Sequence, residues 1–229
     1  MIDLRETKTK GRKFGRMSLK ERETLVTVLP IVRISAESFI EKTGVFGREA
    51  PLFLEIGFGT GTFLSEKAAE APQHDFIGIE IYVTGIAKLL INLISKDNPA
   101  ALSVTNVRVF NKDARSVLIN NIPPGSLDGV YILFPDPWPK KRHQKRRLIN
   151  PDFAGILFSR LKGKGSIIVA TDSREYAAEI ESSFVSACFE TESEDLSDIR
   201  RTTYALKAFK ENRPLRIYRF VKGNVHMAE

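Results

Sequence analysis

The stretch Leu54-Glu55-Ile56-Gly57-Phe58-Gly59-Thr60-Gly61 limits what this chain can fold into more than any other. It closes an apolar run, Pro51 to Ile56, that reads as a short buried strand. It also opens residues 60–71, where Phe63, Leu64, Ala68 and Ala71 recur at helical spacing. Three glycines at alternate positions let the backbone pass close beneath a ligand, in dihedrals closed to other residues. A helix N-terminus behind the turn aims free N–H groups at whatever binds there. Strand, glycine turn and helix in this order require an α/β layer and suit a nucleotide-like guest.

The departures from the dinucleotide fingerprint identify the guest. That fingerprint needs a glycine or alanine five residues after the first glycine, and Thr62 stands there instead. Glu55 lies two residues before the first glycine, where a carboxylate would repel a pyrophosphate but attract the ammonium of S-adenosylmethionine. A second acid, Glu80, ends the strand Phe76 to Ile81 about twenty residues on, where a ribose-binding carboxylate is expected. A methyl-donor site is the reading, and a nicotinamide oxidoreductase is disfavoured.

The rest of the chain alternates strands and helices. Ser18 and Glu21 have capping-box spacing, so a helix starts there and is expected to end near Pro30. After the glycine turn and Glu80 come a helix over residues 82–96, a strand over 106–110 and a short helix over 114–121. A strand over 127–134 and a helix over 150–162 follow. Gly163 to Gly165 is expected to turn into a strand over 166–171, with a helix over 174–187 next. An acidic stretch (Glu190, Glu192, Glu194, Asp195, Asp198) precedes a tail that returns as extended structure over 215–222. This pattern predicts a Rossmann-like, doubly wound sheet, mostly parallel, with an antiparallel C-terminal strand. Residues 1–17 read as a basic, glycine-containing arm in which Phe14 could stack on a base, and residues 18–229 as one domain.

Ligands of such sheets bind outside the carboxyl ends of the strands. Glu55, Glu80, Asp113, Asp136 and Asp172 each fall at one, which places five carboxylates around one crevice. Asp113 and Asp172 also sit where helix N-caps are expected. Asp136 lies in Phe134-Pro135-Asp136-Pro137-Trp138-Pro139, where three prolines stiffen a non-helical loop. Lys/Arg residues follow at once.

Charge is segregated. Residues 1–22 carry eight Lys/Arg against three acids, residues 138–147 six against none, and residues 200–222 eight against one. The remainder is −11 within an overall +7. Basic segments on an acidic body are the footprint of a polyanion-binding face. A single cysteine, Cys188, precludes an intramolecular disulfide and a cysteine-based metal cluster, and its apolar neighbours predict a buried thiol. With scattered histidines (His74, His143, His226), no metal site is expected. No apolar run suggests a signal peptide or a membrane span, so the expectation is a cytoplasmic protein.

LEIGFGTG, the strand ending at Glu80, Asp113-Ala114, LFPDPWPKKRHQKRR and Ala170-Thr171-Asp172 together resemble the bacterial tRNA (guanine-N7)-methyltransferase family over most of residues 50–222. The resemblance implies a class I methyltransferase fold, S-adenosyl-L-methionine as donor, and methylation of a variable-loop guanine in tRNA. It implies that Glu55, Gly57, Gly59, Gly61, Glu80, Asp113, Ala114 and Asp136 bind the donor, with Asp136 also the catalytic residue, between donor and guanine. Lys140, Asp172, Thr202 and Tyr204 would contact substrate. Arg142, His143, Lys145, Arg146 and Arg147 would contact RNA. The family's T-x-[YF]-E motif stands here as Thr202-Thr203-Tyr204-Ala205, with its glutamate missing, and Glu211 is a conceivable substitute. The implied enzyme is a monomer or homodimer without an obligate protein partner. Two rivals remain. One is an amino-methyltransferase, since Asp136-Pro137-Trp138 is similar to a D-P-P-[YW] loop. The other is a tRNA-binding relative weakened by Ala205.

Overall fold

The computed structural model describes residues 17–35, 37, 39–98, 101–192, 199 and 202–223. Nearly all of the basic arm, with Phe14, lies outside the described residues, as do Glu194, Asp195, Asp198 and His226.

Seven strands form one sheet in the order β3-β2-β1-β4-β5-β7-β6. They are β1 (Leu52–Ile56), β2 (Asp75–Ile79), β3 (Val107–Phe110), β4 (Leu127–Leu133), β5 (Leu161–Thr171), β6 (Phe189–Glu192) and β7 (Arg216–Lys222). The first five are parallel. β7 runs antiparallel to both β5 and β6, so the expected doubly wound sheet with an antiparallel C-terminal strand is what forms. Strand order reverses between β1 and β4, which opens a crevice at their carboxyl ends.

Helices cover both faces. On one side α1 (Leu19–Thr27), α4 (Thr62–Glu70) and α5 (Val83–Leu93) pack Leu25, Leu64, Ile86, Leu89 and Leu90 against the sheet. On the other, α6 (Ala114–Asn120), α7 (Pro151–Arg160) and α8 (Arg174–Ser186) bury Val117, Phe153, Leu157, Tyr176 and Phe184. Burying a large side chain of this kind contributes about 1.5–3 kcal/mol, so these two layers hold the sheet rigid beneath the site. The capping box at Ser18 and Glu21 is formed in full. α1 stops at Thr27, and Pro30 instead lies in the first turn of α2 (Leu29–Val32), where its missing N–H costs nothing.

Two expectations need correction, and three elements were not expected. Gly163 to Gly165 is not a turn but lies inside β5, where Lys164 at φ +65° and a register shift against β4 mark a bulge. The start of the acidic stretch is an edge strand, β6. Residues 203–210 form a helix, α9 (Thr203–Lys210), and Lys42–Phe46 forms another, α3. Cys188 is exposed, at φ +63° just past the end of α8, a position that favours glycine. Cys188→Gly should therefore stabilise the fold by about 1 kcal/mol, read as a higher urea midpoint at unchanged m-value. An unchanged or lower midpoint would show the backbone there to be unstrained.

Candidate active site

The glycine turn after β1 takes the left-handed backbone its sequence requires. Gly57, Gly59 and Gly61 have φ of +72°, +58° and +70°. Their own amides are bonded within the protein. Gly57 N donates to Ile79 O (2.8 Å), Gly59 N to Glu80 Oε2 (2.9 Å) and Gly61 N to Phe58 O (2.8 Å). Gly61 is also pressed from behind, since a Cβ there would meet Leu89 Cβ at 2.5 Å. Gly85, absent from the sequence reasoning, backs the turn too. A Cβ on it would lie 2.3 Å from Gly59 O. An isolated glycine early in a helix, where it costs about 1 kcal/mol against alanine, was the available signal. The turn is thus a preformed shelf whose glycine amides are already engaged.

Three carboxylates surround the shelf. Glu55, at the end of β1, is buried, and its Oε2 has no hydrogen-bond partner. Burial, and then the negative charge of Glu80, push its carboxyl up to about 8. Glu80 is buried beyond the end of β2 and accepts from Gly59 N, from Ile81 N (2.7 Å) and from Tyr82 N (2.9 Å). Burial raises its pKa, those three bonds oppose the rise, and nearby Asp136 adds to it. Asn111, another residue the sequence reasoning missed, donates its amide to the carbonyls of Glu80 (2.9 Å) and Ile81 (3.2 Å) and fixes that corner. A buried, unpartnered carboxylate among like charges is a site for a cation. The ammonium of S-adenosylmethionine fits Glu55 on that ground. Asp113 caps α6 by accepting from Ser116 N (3.0 Å), and Ala114 follows it, buried.

The proline loop closes the crevice beyond β4. Phe134 N donates to Ala170 O (2.8 Å), and both Phe134 (φ +55°) and Trp138 (φ +41°) occupy left-handed backbone, strain of the kind held at functional loops. Asp136 is exposed at the mouth. The basic run that follows is a 3₁₀ helix, Lys141–Arg146. Lys140, Arg142, Lys145 and Arg146 are exposed, Arg146 lies over the Trp138 ring, and half-buried His143 meets that ring edge-on.

Arg147 departs from this surface. Its buried guanidinium bonds Pro137 O (2.8 Å), pairs with Glu175 (3.3 Å) and Glu179 on α8, and covers the Tyr176 ring. It anchors the loop from within rather than facing RNA. Asp172 does not cap α8, a role taken by Ser173. It is ion-paired with Arg213, which also pairs with Glu211 (2.9 Å).

Thr202 caps α9, its Oγ1 accepting from Ala205 N (3.3 Å). Exposed Tyr204 stacks on Phe134 with centroids 5.7 Å apart. The family motif T-x-[YF]-E thus has the form of a capping box. The missing glutamate would stand three residues into α9, where buried Ala205 now packs, and Thr202 N bonds Ile199 O (3.1 Å) instead. The helix forms without it.

Among the described residues, no group of three or more His, Cys, Asp or Glu could hold a metal ion, and no helix is long and apolar enough to cross a membrane.

A family model described as "Putative methyltransferase" matches residues 49–214. A tRNA (guanine-N(7)-)-methyltransferase of Nitrosococcus oceani is 43% identical over 170 residues, which is 74% of this chain and 70% of that protein. One of Methylococcus capsulatus is 42% identical over 166 residues, 72% of this chain and 69% of that protein. Among solved structures, a 16S rRNA (adenine(1408)-N(1))-methyltransferase from Catenulisporales acidiphilia with cosubstrate SAM superposes at a TM-score of 0.54. The pair share 11% identity, covering 94% of this chain and 97% of that one. That likeness is one of fold.

Proposed function

The chain belongs to the tRNA (guanine-N(7)-)-methyltransferase family, and we propose that it methylates N7 of a variable-loop guanine in tRNA, in the cytoplasm. S-adenosyl-L-methionine, when bound, supplies a methyl group on a sulfonium. The observation that carries the reading is the crevice itself. Glu55 presents an orphaned buried oxygen on one side of the glycine shelf, and Asp136 stands exposed on the other, beside a cationic face.

Glu55 holds the donor ammonium and Glu80 the ribose, with its remaining lone pair. Asp113 and Ala114 border the donor, and the glycine shelf lets it approach the backbone. Guanine N7 is an acceptor with a free lone pair, so it loses no proton when it attacks and a strong base is unnecessary. The protein's task is to hold N7 in line, and positioning alone supplies several kcal/mol. Asp136 and Asp172 accept from the guanine N–H donors. Lys140, Arg142, Lys145 and Arg146 take phosphates, with His143 and Trp138 beside them.

The test is methyl transfer from labelled donor to unmodified tRNA transcripts, with the modified nucleotide mapped. Alkylated N7 in the variable loop supports the reading, and an alkylated exocyclic amine would replace it with the amino-methyltransferase. The logarithm of the tRNA binding constant should also fall linearly with the logarithm of salt concentration. Arg142→Ala and Lys145→Ala should each reduce the slope by roughly 0.9, the value for one phosphate on a duplex, with donor affinity unchanged. A slope that neither variant alters would move the RNA face elsewhere.

A further inference from the structure

The carboxyl ends of β4 and β5 carry Asp136 and Asp172, and one helix is fastened to both. At the start of α9, Tyr204 stacks on Phe134, the first residue after β4. At its end, Arg213 N donates to Ala208 O (2.8 Å), and Asn212, at φ +51°, turns the chain back. Arg213 then reaches Asp172, the first residue after β5, just past the point where Thr171 pairs with Arg216 of β7.

The Asp172 side chain is 15% exposed and that of Arg213 36%. A guanidinium beside a half-buried carboxylate offsets its desolvation and fixes its orientation. That of Arg213 does so here and also binds Glu211 with its Nε. The pair with Asp172 uses Oδ2, so Oδ1 is the oxygen that would accept from a substrate N–H. A planar fork engages two carboxylates at once, which an ammonium does poorly.

We propose that Arg213 is a positioning residue for the guanine side of the site: it holds Asp172 oriented, and ties α9, with Thr202 and Tyr204, over the acceptor. It acts through Asp172 and has no contact with the donor. The inference rests on the tRNA-methylation reading for what Asp172 binds. The docking of α9 stands apart from that reading.

Arg213→Ala should lower kcat/KM for tRNA at least 30-fold while the dissociation constant for S-adenosylmethionine stays within twofold, which also reports an intact fold. Arg213→Lys, which keeps the charge but not the fork, should recover only part of that loss and fall between Arg213→Ala and the natural enzyme. Asp172→Asn should resemble Arg213→Ala, and the double variant should be no more than threefold worse than either. A loss under threefold in Arg213→Ala, or losses that multiply in the double variant, would overturn the proposal. Hydrogen exchange without tRNA is the second measurement. Amides of residues 203–210 should exchange faster in Arg213→Ala, with those of 52–56 unchanged, and equal exchange in α9 would remove the tether. If the natural enzyme methylates some other atom, the substrate reading fails, and exchange alone decides the tether.

Discussion

Affinity for S-adenosylmethionine should rise about tenfold per unit as pH climbs from 6 toward 8, with one proton released for each donor bound. The cause is Glu55. Without donor its carboxyl is pushed up to about 8, chiefly by burial and secondly by Glu80, and its Oε2 has no partner. An ammonium binds the ionised form, so below that value each unit of pH costs about 1.36 kcal/mol of binding. From pH 8, where Glu55 is half ionised, down to pH 6 the affinity should fall about 50-fold, and above pH 8 it should level off. Titration calorimetry in two buffers of different ionisation enthalpy counts the proton directly.

The sign for folding is opposite to the common carboxylate case. The folded state keeps a proton on Glu55 that the unfolded chain gives up above about 4.5. Donor-free protein therefore loses stability as pH rises from about 5 to 8, and added donor restores it. Glu55→Gln should abolish the proton release and flatten both pH dependences. It should also weaken donor binding about 100-fold at pH 8, the loss of a buried charge pair. Proton release that persists in Glu55→Gln would transfer the role to Glu80, whose pKa is also raised.

The central frame of this protein was legible because its strands are buried and its helices amphipathic. β2 is buried throughout, α5 presents Val83, Ile86, Leu89, Leu90 and Leu93 to the core, and the glycine turn joins strand to helix. Elements whose stability comes from a distant partner were not legible. β6 reads Phe-Glu-Thr-Glu, a poor strand by composition, and exists by pairing with β7, with Glu192 against Arg219 (3.5 Å). α9 has good helix formers and a threonine cap, but without glutamate three residues on its start was unmarked.

Among the site residues, sequence located every strand-end carboxylate but not which way the charges face. Arg147 belongs to a run of six cations, and only Glu175 and Glu179, four residues apart on α8, turn it inward. The bond that immobilises the Gly59 amide likewise depends on Glu80, twenty-one residues further on.

Asp136→Asn should lower kcat between about 100- and 1,000-fold, with donor affinity within about fivefold of the natural protein. When N7 takes up a methyl group the purine ring becomes positive, so a carboxylate bonded to its N–H edge interacts more strongly in the transition state than in the ground state. Removing one such preorganised interaction costs roughly 2.7–4 kcal/mol. Asparagine keeps the shape and an acceptor oxygen but loses the charge, so the effect falls on kcat more than on KM. Asp136 is exposed at the mouth while Glu55 and Glu80 are buried, which separates its contribution from donor binding. The measurement is single-turnover methyl transfer at saturating donor, beside donor titration of the same variant. Near-natural turnover would remove Asp136 from the chemistry, and loss of donor binding in equal measure would make it a donor ligand. A selective fall in kcat would place the charge of Asp136 where the guanine charge develops, acting on the transition state and not on the donor.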